Sequence, residues 1–219
     1  MTQKTIAAPR RTRIKICGLT READVVAACE AGADALGLVF YPHSARAVDL
    51  ARARALAREV APFVTLTALF VNPTFDEVRA VLDEVPVQLL QFHGDEPESF
   101  CARFGRPWLK AARVRAGLNL LDFCACHRGA QGILLDADAR GYGGGGEVFD
   151  WSLIPALPDV RIILAGGLTP HNVGAAVRRV RPWAVDVSSG VEVAKGQKDA
   201  ARMSAFVRAV READEEYPN

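Results

Sequence analysis

The stretch Arg13-Ile-Lys-Ile-Cys17 is a short β-branched run that ends on a thiol, and Gly18-Leu-Thr20 and a helical pattern follow it directly. β-Branched residues favour a strand, and Thr20 ahead of Glu22 and Asp24 is typical of a helix start. A strand that leads through a loop into a helix is the building unit of parallel α/β proteins. The fold therefore depends on how often this unit recurs along the chain.

The unit recurs eight times. The predicted strands are Ile14–Cys17, Ala35–Phe40, Val64–Val71, Val87–Phe92, Trp108–Ala112, Gly132–Leu135, Val160–Leu164 and Ala184–Val187. The predicted helices are Arg21–Ala31, Leu50–Val60, Thr74–Glu84, Pro97–Phe104, Leu118–His127, a short one from Asp150, Pro170–Val180 and Asp199–Arg211. Alternating strands and helices imply parallel pairing. Eight units predict a single (β/α)8 TIM barrel of the α/β class, whereas the alternative, an open doubly wound sheet, needs only six strands.

Composition restricts the class of protein. We expect residues 1–13 to form a flexible N-terminal extension, 14–213 the barrel and 214–219 a C-terminal tail. The net charge of +1, from 27 basic and 26 acidic residues, gives no electrostatic footprint for nucleic acid. There is no apolar run of about 18 residues to cross a membrane, and the basic N-terminus lacks the apolar centre of a secretory signal. Five cysteines without a Cys-x-x-Cys motif argue against disulfides and for a cytoplasmic protein.

In a (β/α)8 barrel the loops after the strands carry the chemistry. Cys17 ends the first predicted strand and Asp136 follows the sixth, so the two form a candidate acid/base pair. Without further evidence, a small buried apolar residue is the commoner fate of a lone free cysteine, and Asp136 is readable as a turn or cap residue. Gly166-Gly167 and Ser188-Ser189-Gly190 follow strands seven and eight, where exposed backbone N–H groups suit a phosphate. The alternative is that these glycines only make tight turns.

Six short motifs resemble the phosphoribosylanthranilate isomerase family. They are Lys15-Ile-Cys-Gly-Leu-Thr20, Gly37-Leu-Val-Phe-Tyr-Pro42 with Ser44 and Arg46, Gln91-Phe-His-Gly94, Leu134-Leu-Asp136, Gly143 to Gly146 with Phe149-Asp-Trp151, and Asp186-Val-Ser-Ser-Gly-Val-Glu192. They occur in order from about residue 14 to the last helix. Each motif is weak by itself, but together they are highly specific.

The resemblance implies an Amadori rearrangement in tryptophan biosynthesis, from N-(5-phosphoribosyl)anthranilate to 1-(2-carboxyphenylamino)-1-deoxyribulose 5-phosphate. A general acid protonates the furanose ring oxygen, and a general base removes the proton on C2′. By the match to the family motif, Asp136 is the acid and Cys17 is the base. The implied substrate-binding residues are Arg46, His93, Gly166, Gly167, Asp186, Ser188, Ser189 and Gly190. Arg46 is expected at the anthranilate carboxylate, whereas His93 is either a substrate contact or a structural loop histidine.

We expect no cofactor, because the reaction is redox-neutral and no dinucleotide motif is present. Metal is not expected either, since Cys124 and Cys126 point about 200° apart on a helix. The expected partner is a small phosphorylated substrate, and the chain is expected to be a monomer or a homodimer.

Strand alternation makes a further prediction that does not depend on the resemblance. If Cys17 faces the active rim, Lys15 points into the barrel as well, because side chains repeat every two residues. An unpaired ammonium there is costly. Strand eight neighbours strand one in a closed barrel, so Asp186 is the expected partner and Asp136 the second option. This ion pair would supply the positive potential that draws Cys17 toward thiolate.

Two departures from the family pattern and two rival functions stay open. Gly145 stands where serine or threonine is more common, so the glycine run should be more mobile, and Ala47 stands where a larger residue is common. One rival is an aldolase-type barrel that uses Lys110 as its Schiff-base nucleophile. The other is a non-catalytic phosphometabolite-binding barrel, which has no use for both Cys17 and Asp136.

Overall fold

In a computed structural model, described for residues 11–115, 117–137, 150–151, 154–155, 157 and 159–216, the chain forms a closed parallel barrel. Its strands are β1 (Arg13–Cys17), β2 (Ala35–Val39), β3 (Thr65–Phe70), β4 (Leu89–Phe92), β5 (Trp108–Val114), β6 (Gly132–Ala137), β7 (Ile162–Leu164) and β8 (Ala184–Val187). Because β1 pairs with both β2 and β8, the sheet closes on itself. The predicted (β/α)8 barrel is therefore confirmed, and the open-sheet alternative is wrong.

Helices follow the strands as predicted. They are α1 (Glu22–Ala31), α2 (Leu50–Arg58), α3 (Phe75–Glu84), α4 (Glu98–Cys101), α5 (Leu120–Ala125), α6 (Val173–Val180) and α7 (Ala200–Glu215). Caps define several starts: Thr74 forms a capping box with Glu77, and Asp199 accepts a hydrogen bond from the backbone N–H of Arg202. The predicted helix at 97–104 divides into α4 and a 3₁₀ turn, Ala102–Phe104. The short helix predicted from Asp150 lies largely outside the described residues.

One element was not predicted. After β8 the chain makes a 3₁₀ turn, Ser189–Val191, and then an antiparallel hairpin of β9 (Glu192–Ala194) and β10 (Gln197–Lys198). A hydrogen bond attaches this hairpin to the barrel rim: the hydroxyl of Thr20 donates to the backbone carbonyl of Gly196 at 2.5 Å. The hairpin thus lies beside the loop that follows β1.

The two faces of the strands are buried against different partners. One set of alternating residues fills the barrel interior with apolar side chains, namely Leu109, Ala111, Leu134, Ile163, Ala165 and Ala184. The other set packs against the helices; Ile16, Leu36 and Leu66, for example, belong to the main core. Toward the strand ends the interior becomes polar, with buried Lys15, Thr67, Gln91, His93, Asp136 and Asp186. This polar layer is where the candidate site lies.

Both ends of the described chain are attached to the barrel. Arg11 forms an ion pair with Asp34, and Thr12 donates from its N–H and its hydroxyl to Asp214 at 2.7 Å. α7 continues to Glu215. Among the described residues, no helix combines the length and apolar composition that crossing a membrane requires.

Candidate active site

A buried ion pair lies beside the thiol at the end of β1. Lys15 and Asp186 are register partners on β1 and β8, and Nζ of Lys15 lies 2.9 Å from Oδ1 of Asp186. The side chains are 5% and 9% exposed. Lys15 also lies close enough to the thiol of Cys17 to lower its pKa electrostatically. The predicted ion pair and its position near Cys17 are confirmed.

The pKa of the Cys17 thiol is set by opposing effects of burial and of the neighbouring Lys15. Burial raises the pKa of the thiol, and Lys15 lowers it by less, so the pKa of Cys17 stays above its ordinary value. Lys15 favours the thiolate, in the predicted direction, but burial has the larger effect on the pKa of Cys17. Gly37 is the partner of Cys17 on β2, and a Cβ there would lie 2.7 Å from its Sγ. The missing side chain at Gly37 thus leaves room for the sulfur.

Asp136 and His93 lie in the same polar layer. Oδ2 of Asp136 is 3.2 Å from Nε2 of His93, although the two are not aligned as a hydrogen bond. Nε2 of Gln91 lies 3.2 Å from Nδ1 of His93, so the amide donates to that ring nitrogen and leaves the ring proton on Nε2. Burial raises the pKa of Asp186, and the nearby charge of Asp136 raises it further. The acid candidate and the ion pair beside the thiol therefore interact electrostatically.

The loops after β7 and β8 pack closely against each other. Gly166 and Gly167 both have left-handed backbone, with φ of 81° and 62°, a conformation that favours glycine. A Cβ on Gly190 would lie 1.9 Å from the carbonyl oxygen of Leu168. Asn172 holds the β7 loop from inside, since its side chain accepts from Thr169 N and donates to the carbonyl of Gly167. The two loops thus form one compact surface of backbone groups.

Arg46 is held by a carboxylate of the hairpin. Its Nε and one Nη each donate to an oxygen of Glu192 at 2.8 Å, in a two-bond fork. Glu192 also accepts from Nζ of Lys198 at 2.8 Å, and the same ammonium reaches the carbonyl and hydroxyl of Ser188 at 3.1 and 3.3 Å. Both Arg46 and Lys198 lie near enough to Cys17 to interact electrostatically with it. These contacts connect the loop after β2 to the loop after β8.

Sequence reasoning missed Lys198 and the partnership of Glu192. In the sequence Glu192 is recognisable only as the end of a family motif. Lys198 lies in the hairpin that was not predicted, and no sequence pattern marks it. The glycine run Gly143–Gly146 lies outside the described residues. Lys110 faces the helices, where its ammonium contacts Glu96 at 3.0 Å and the carbonyl of Gly94 at 2.6 Å. It is therefore not in the polar layer, and the aldolase reading is wrong.

A (β/α)8 barrel with a thiol, a carboxylate and a glycine-lined rim at its strand ends defines the class: an enzyme that acts on a small substrate. The family model for N-(5′-phosphoribosyl)anthranilate (PRA) isomerase matches residues 14–209. The chain belongs to this family. Its function is the isomerisation of N-(5′-phosphoribosyl)anthranilate in tryptophan biosynthesis.

Similar proteins cover nearly the whole chain. N-(5′-Phosphoribosyl)anthranilate isomerase from Ralstonia pickettii is 57% identical over 220 residues, which span 93% of this chain and 94% of that protein. The crystal structure of the enzyme from Thermotoga maritima has a TM-score of 0.82 at 40% identity and covers 92% of this chain and 99% of its own. A second crystal structure, in complex with reduced 1-(o-carboxyphenylamino)-1-deoxyribulose 5-phosphate, has a TM-score of 0.79 at 38% identity, with coverage of 92% and 99%.

Proposed function

We propose that Asp136 is the general acid and Cys17 the general base of the rearrangement. Asp136 gives its proton to the furanose ring oxygen as the C1′–O bond breaks, and the nitrogen lone pair forms the C1′=N bond of the Schiff base. The thiolate of Cys17 then takes the proton from C2′, and the C–H electrons form a C1′=C2′ bond that neutralises the nitrogen. The enolamine gains a proton at C1′ and loses its hydroxyl proton to become the ketone.

The observation that supports this division is the buried ammonium of Lys15 beside the thiol of Cys17. Burial keeps Cys17 mostly protonated, but a thiolate with a raised pKa is the stronger base once formed. Lys15 lies where it stabilises that anion, and its own charge is balanced by Asp186. A purely phosphate-binding barrel has no use for a thiol held next to a buried ammonium. The non-catalytic reading therefore leaves this arrangement without a purpose.

The remaining predicted residues are proposed to orient the substrate. The phosphate binds at the compact surface made by Gly166, Gly167, Ser188, Ser189 and Gly190, because the three glycines leave backbone N–H groups uncovered by side chains.

At the other end of the substrate, Arg46 binds the anthranilate carboxylate. The fork to Glu192 uses one edge of its guanidinium. No described residue bonds its second terminal nitrogen, so the opposite edge remains able to bind a second carboxylate.

His93 and Asp186 are proposed to lie against the sugar. Nε2 of His93, which carries the ring proton, has no aligned hydrogen-bond partner within the described residues, and the same is true of Oε1 of Gln91. Buried polar atoms usually find a partner. Hydroxyl groups of the ring-opened sugar are suitable partners for both.

The protein is further proposed to work in the cytoplasm, as a monomer or a homodimer, without a cofactor. All five cysteines are free thiols, which agrees with a reducing compartment.

The roles are tested by following the loss of substrate fluorescence in wild type, Cys17→Ser and Asp136→Asn. We expect each variant to lose about 10²- to 10⁴-fold in kcat, the usual contribution of one general acid or base. Cys126→Ser, which changes an exposed thiol away from the polar layer, is the matched control and should retain the wild-type rate. If Cys17→Ser keeps wild-type kcat, the thiol is not the base.

A further inference from the structure

Four residues form a continuous polar chain across the rim. It runs from Arg46, in the loop after β2, through Glu192 on β9 and Lys198 on β10 to Ser188, after β8. Each step is a hydrogen bond of 2.8 to 3.1 Å. We call these residues the rim chain. Its two ends lie at the regions assigned above to the carboxylate and the phosphate of the substrate.

The rim chain is buried where its charges meet. The side chains of Lys198, Glu192 and Arg46 are 0%, 5% and 11% exposed. Burial raises the pKa of Glu192, but hydrogen bonds from Arg46 and Lys198 outweigh it, and the pKa is held below its usual value. Glu192 is therefore a carboxylate at neutral pH that is shared by two cations. Of the two positive charges, one remains uncompensated by Glu192, which suits the binding of an anion.

Contacts to its backbone also hold the hairpin in place. The backbone N–H of Lys198 donates to Asp24 at 3.0 Å, and that of Asp199 donates to the carbonyl of Val191 at 2.8 Å. Arg202 reaches the backbone carbonyl of Glu192. Because these contacts also secure the hairpin, the buried hydrogen bonds among Arg46, Glu192 and Lys198 are available for a role in substrate binding.

We propose that Glu192 and Lys198 are positioning residues for this reaction. They fix the guanidinium of Arg46 for the substrate carboxylate and connect it to the loop after β8, where the phosphate is proposed to bind. Glu192 holds one edge of Arg46, so that the opposite edge points in one direction. Lys198 fixes Glu192 in turn and ties it to Ser188. The inference rests on the proposed role of Arg46 in the preceding section. It adds that the two ends of the substrate are recognised by one connected unit.

The test compares two ligands that differ only in the carboxyl group. The probes are reduced 1-(o-carboxyphenylamino)-1-deoxyribulose 5-phosphate and the same compound without its carboxyl group, titrated by calorimetry into wild type, Glu192→Gln, Lys198→Met and Arg46→Met. We expect Glu192→Gln to weaken binding of the carboxylated ligand about 10- to 100-fold, the value of a charged hydrogen bond. Binding of the carboxyl-free ligand should change by less than about threefold. In turnover the effect should appear in KM rather than in kcat.

One control and two further comparisons make the result specific. Lys195→Met changes an exposed cation of the same hairpin and should bind both ligands as wild type does. Lys198→Met should weaken the binding of the carboxylated ligand and also the binding of inorganic phosphate, because Lys198 contacts Ser188. Glu192→Asp keeps the charge but is too short for both partners, so it should bind with intermediate affinity and serves if Glu192→Gln does not fold.

The outcomes separate the inference from the proposed function. If Arg46→Met weakens the carboxylated ligand selectively but Glu192→Gln weakens both ligands equally, or neither, then the positioning role is wrong and the role of Arg46 stands. If Arg46→Met does not weaken the carboxylated ligand selectively, the assignment of Arg46 fails, and this inference fails with it.

Discussion

Nζ of Lys15 lies 2.9 Å from Oδ1 of Asp186 inside the barrel, at directly paired positions on its first and last strands. The pair is almost completely buried and lies next to the thiol of Cys17. Since a buried ion pair stabilises a fold only weakly, we assign its value here to the chemistry of the site. It keeps one ammonium beside the thiol in the barrel interior.

Replacing Lys15 separates the chemical value of the pair from its structural value. Lys15→Met leaves Asp186 as an unpaired buried carboxylate, so we expect a loss of about 3–5 kcal/mol in the free energy of unfolding. Lys15→Met/Asp186→Leu removes both charges and should recover most of that stability. Its kcat should still be far below that of wild type, because the thiolate of Cys17 has lost its cation. Urea unfolding and steady-state kinetics measure the two effects. A double variant with wild-type kcat would show that the pair serves only the fold.

The thiol of Cys17 should react as a group whose pKa is raised. Burial favours the neutral thiol, so little thiolate is present at pH 7 and the fraction grows as the pH rises. We expect the rate of alkylation of Cys17 by iodoacetamide to increase about tenfold per pH unit from pH 6 to pH 9, without a plateau. Peptide mapping by mass spectrometry resolves Cys17 from the exposed Cys126, which reports on the reagent. A plateau below pH 8 would mean that Lys15 outweighs burial.

The close packing of the β7 and β8 loops makes Gly190 a sensitive position. A methyl group there meets the backbone of Leu168 at 1.9 Å, so Gly190→Ala must push the two loops apart. We expect KM for the substrate and Kd for inorganic phosphate to rise about 10- to 100-fold, as for the loss of one charged hydrogen bond. Gly174→Ala in α6 meets the flexible end of Arg178 at 3.2 Å and the carbonyl oxygen of Ala209 at an ordinary contact distance of 3.5 Å, and is the control. Unchanged phosphate affinity in Gly190→Ala would move the phosphate away from these loops.

Glu192 should contribute to stability in a pH-dependent way. Its pKa in the folded protein is held below the ordinary 4.5 by Arg46 and Lys198, despite burial. The stabilisation is therefore fully present above pH 4.5 and disappears as the pH falls through the lower folded value. Glu192→Gln should remove this part of the acid dependence, which thermal unfolding from pH 3 to pH 7 would measure. An unchanged dependence in the variant would mean that Glu192 is not ionised in the fold.

The sequence alone was sufficient for the barrel and for the ion pair in its interior. Eight strand–helix units leave few topologies, and closure makes β1 and β8 neighbours. Strand alternation then places Lys15 and Asp186 on the same inner surface. The ion pair followed from geometry that a repeating pattern determines.

The rim chain could not be predicted from the sequence, because no repeating pattern determines where its residues lie. β9 and β10 have three and two residues, too few for a periodic signal. Arg46 and Glu192 are 146 positions apart, and an arginine in a loop has many possible partners. The pKa of Cys17 depended on two opposing effects, burial and a nearby cation. Their balance is set by the depth of the thiol, which the sequence does not specify.

The division of roles between Asp136 and Cys17 is tested most directly by a kinetic isotope effect on kcat with substrate deuterated at C2′. In Cys17→Ser the abstraction of the C2′ proton is slowed and limits turnover, so a large primary isotope effect is expected. In Asp136→Asn the ring opening limits turnover instead, and the effect should be close to unity. The opposite pattern, with a large effect in Asp136→Asn and none in Cys17→Ser, would contradict the assignment of acid and base.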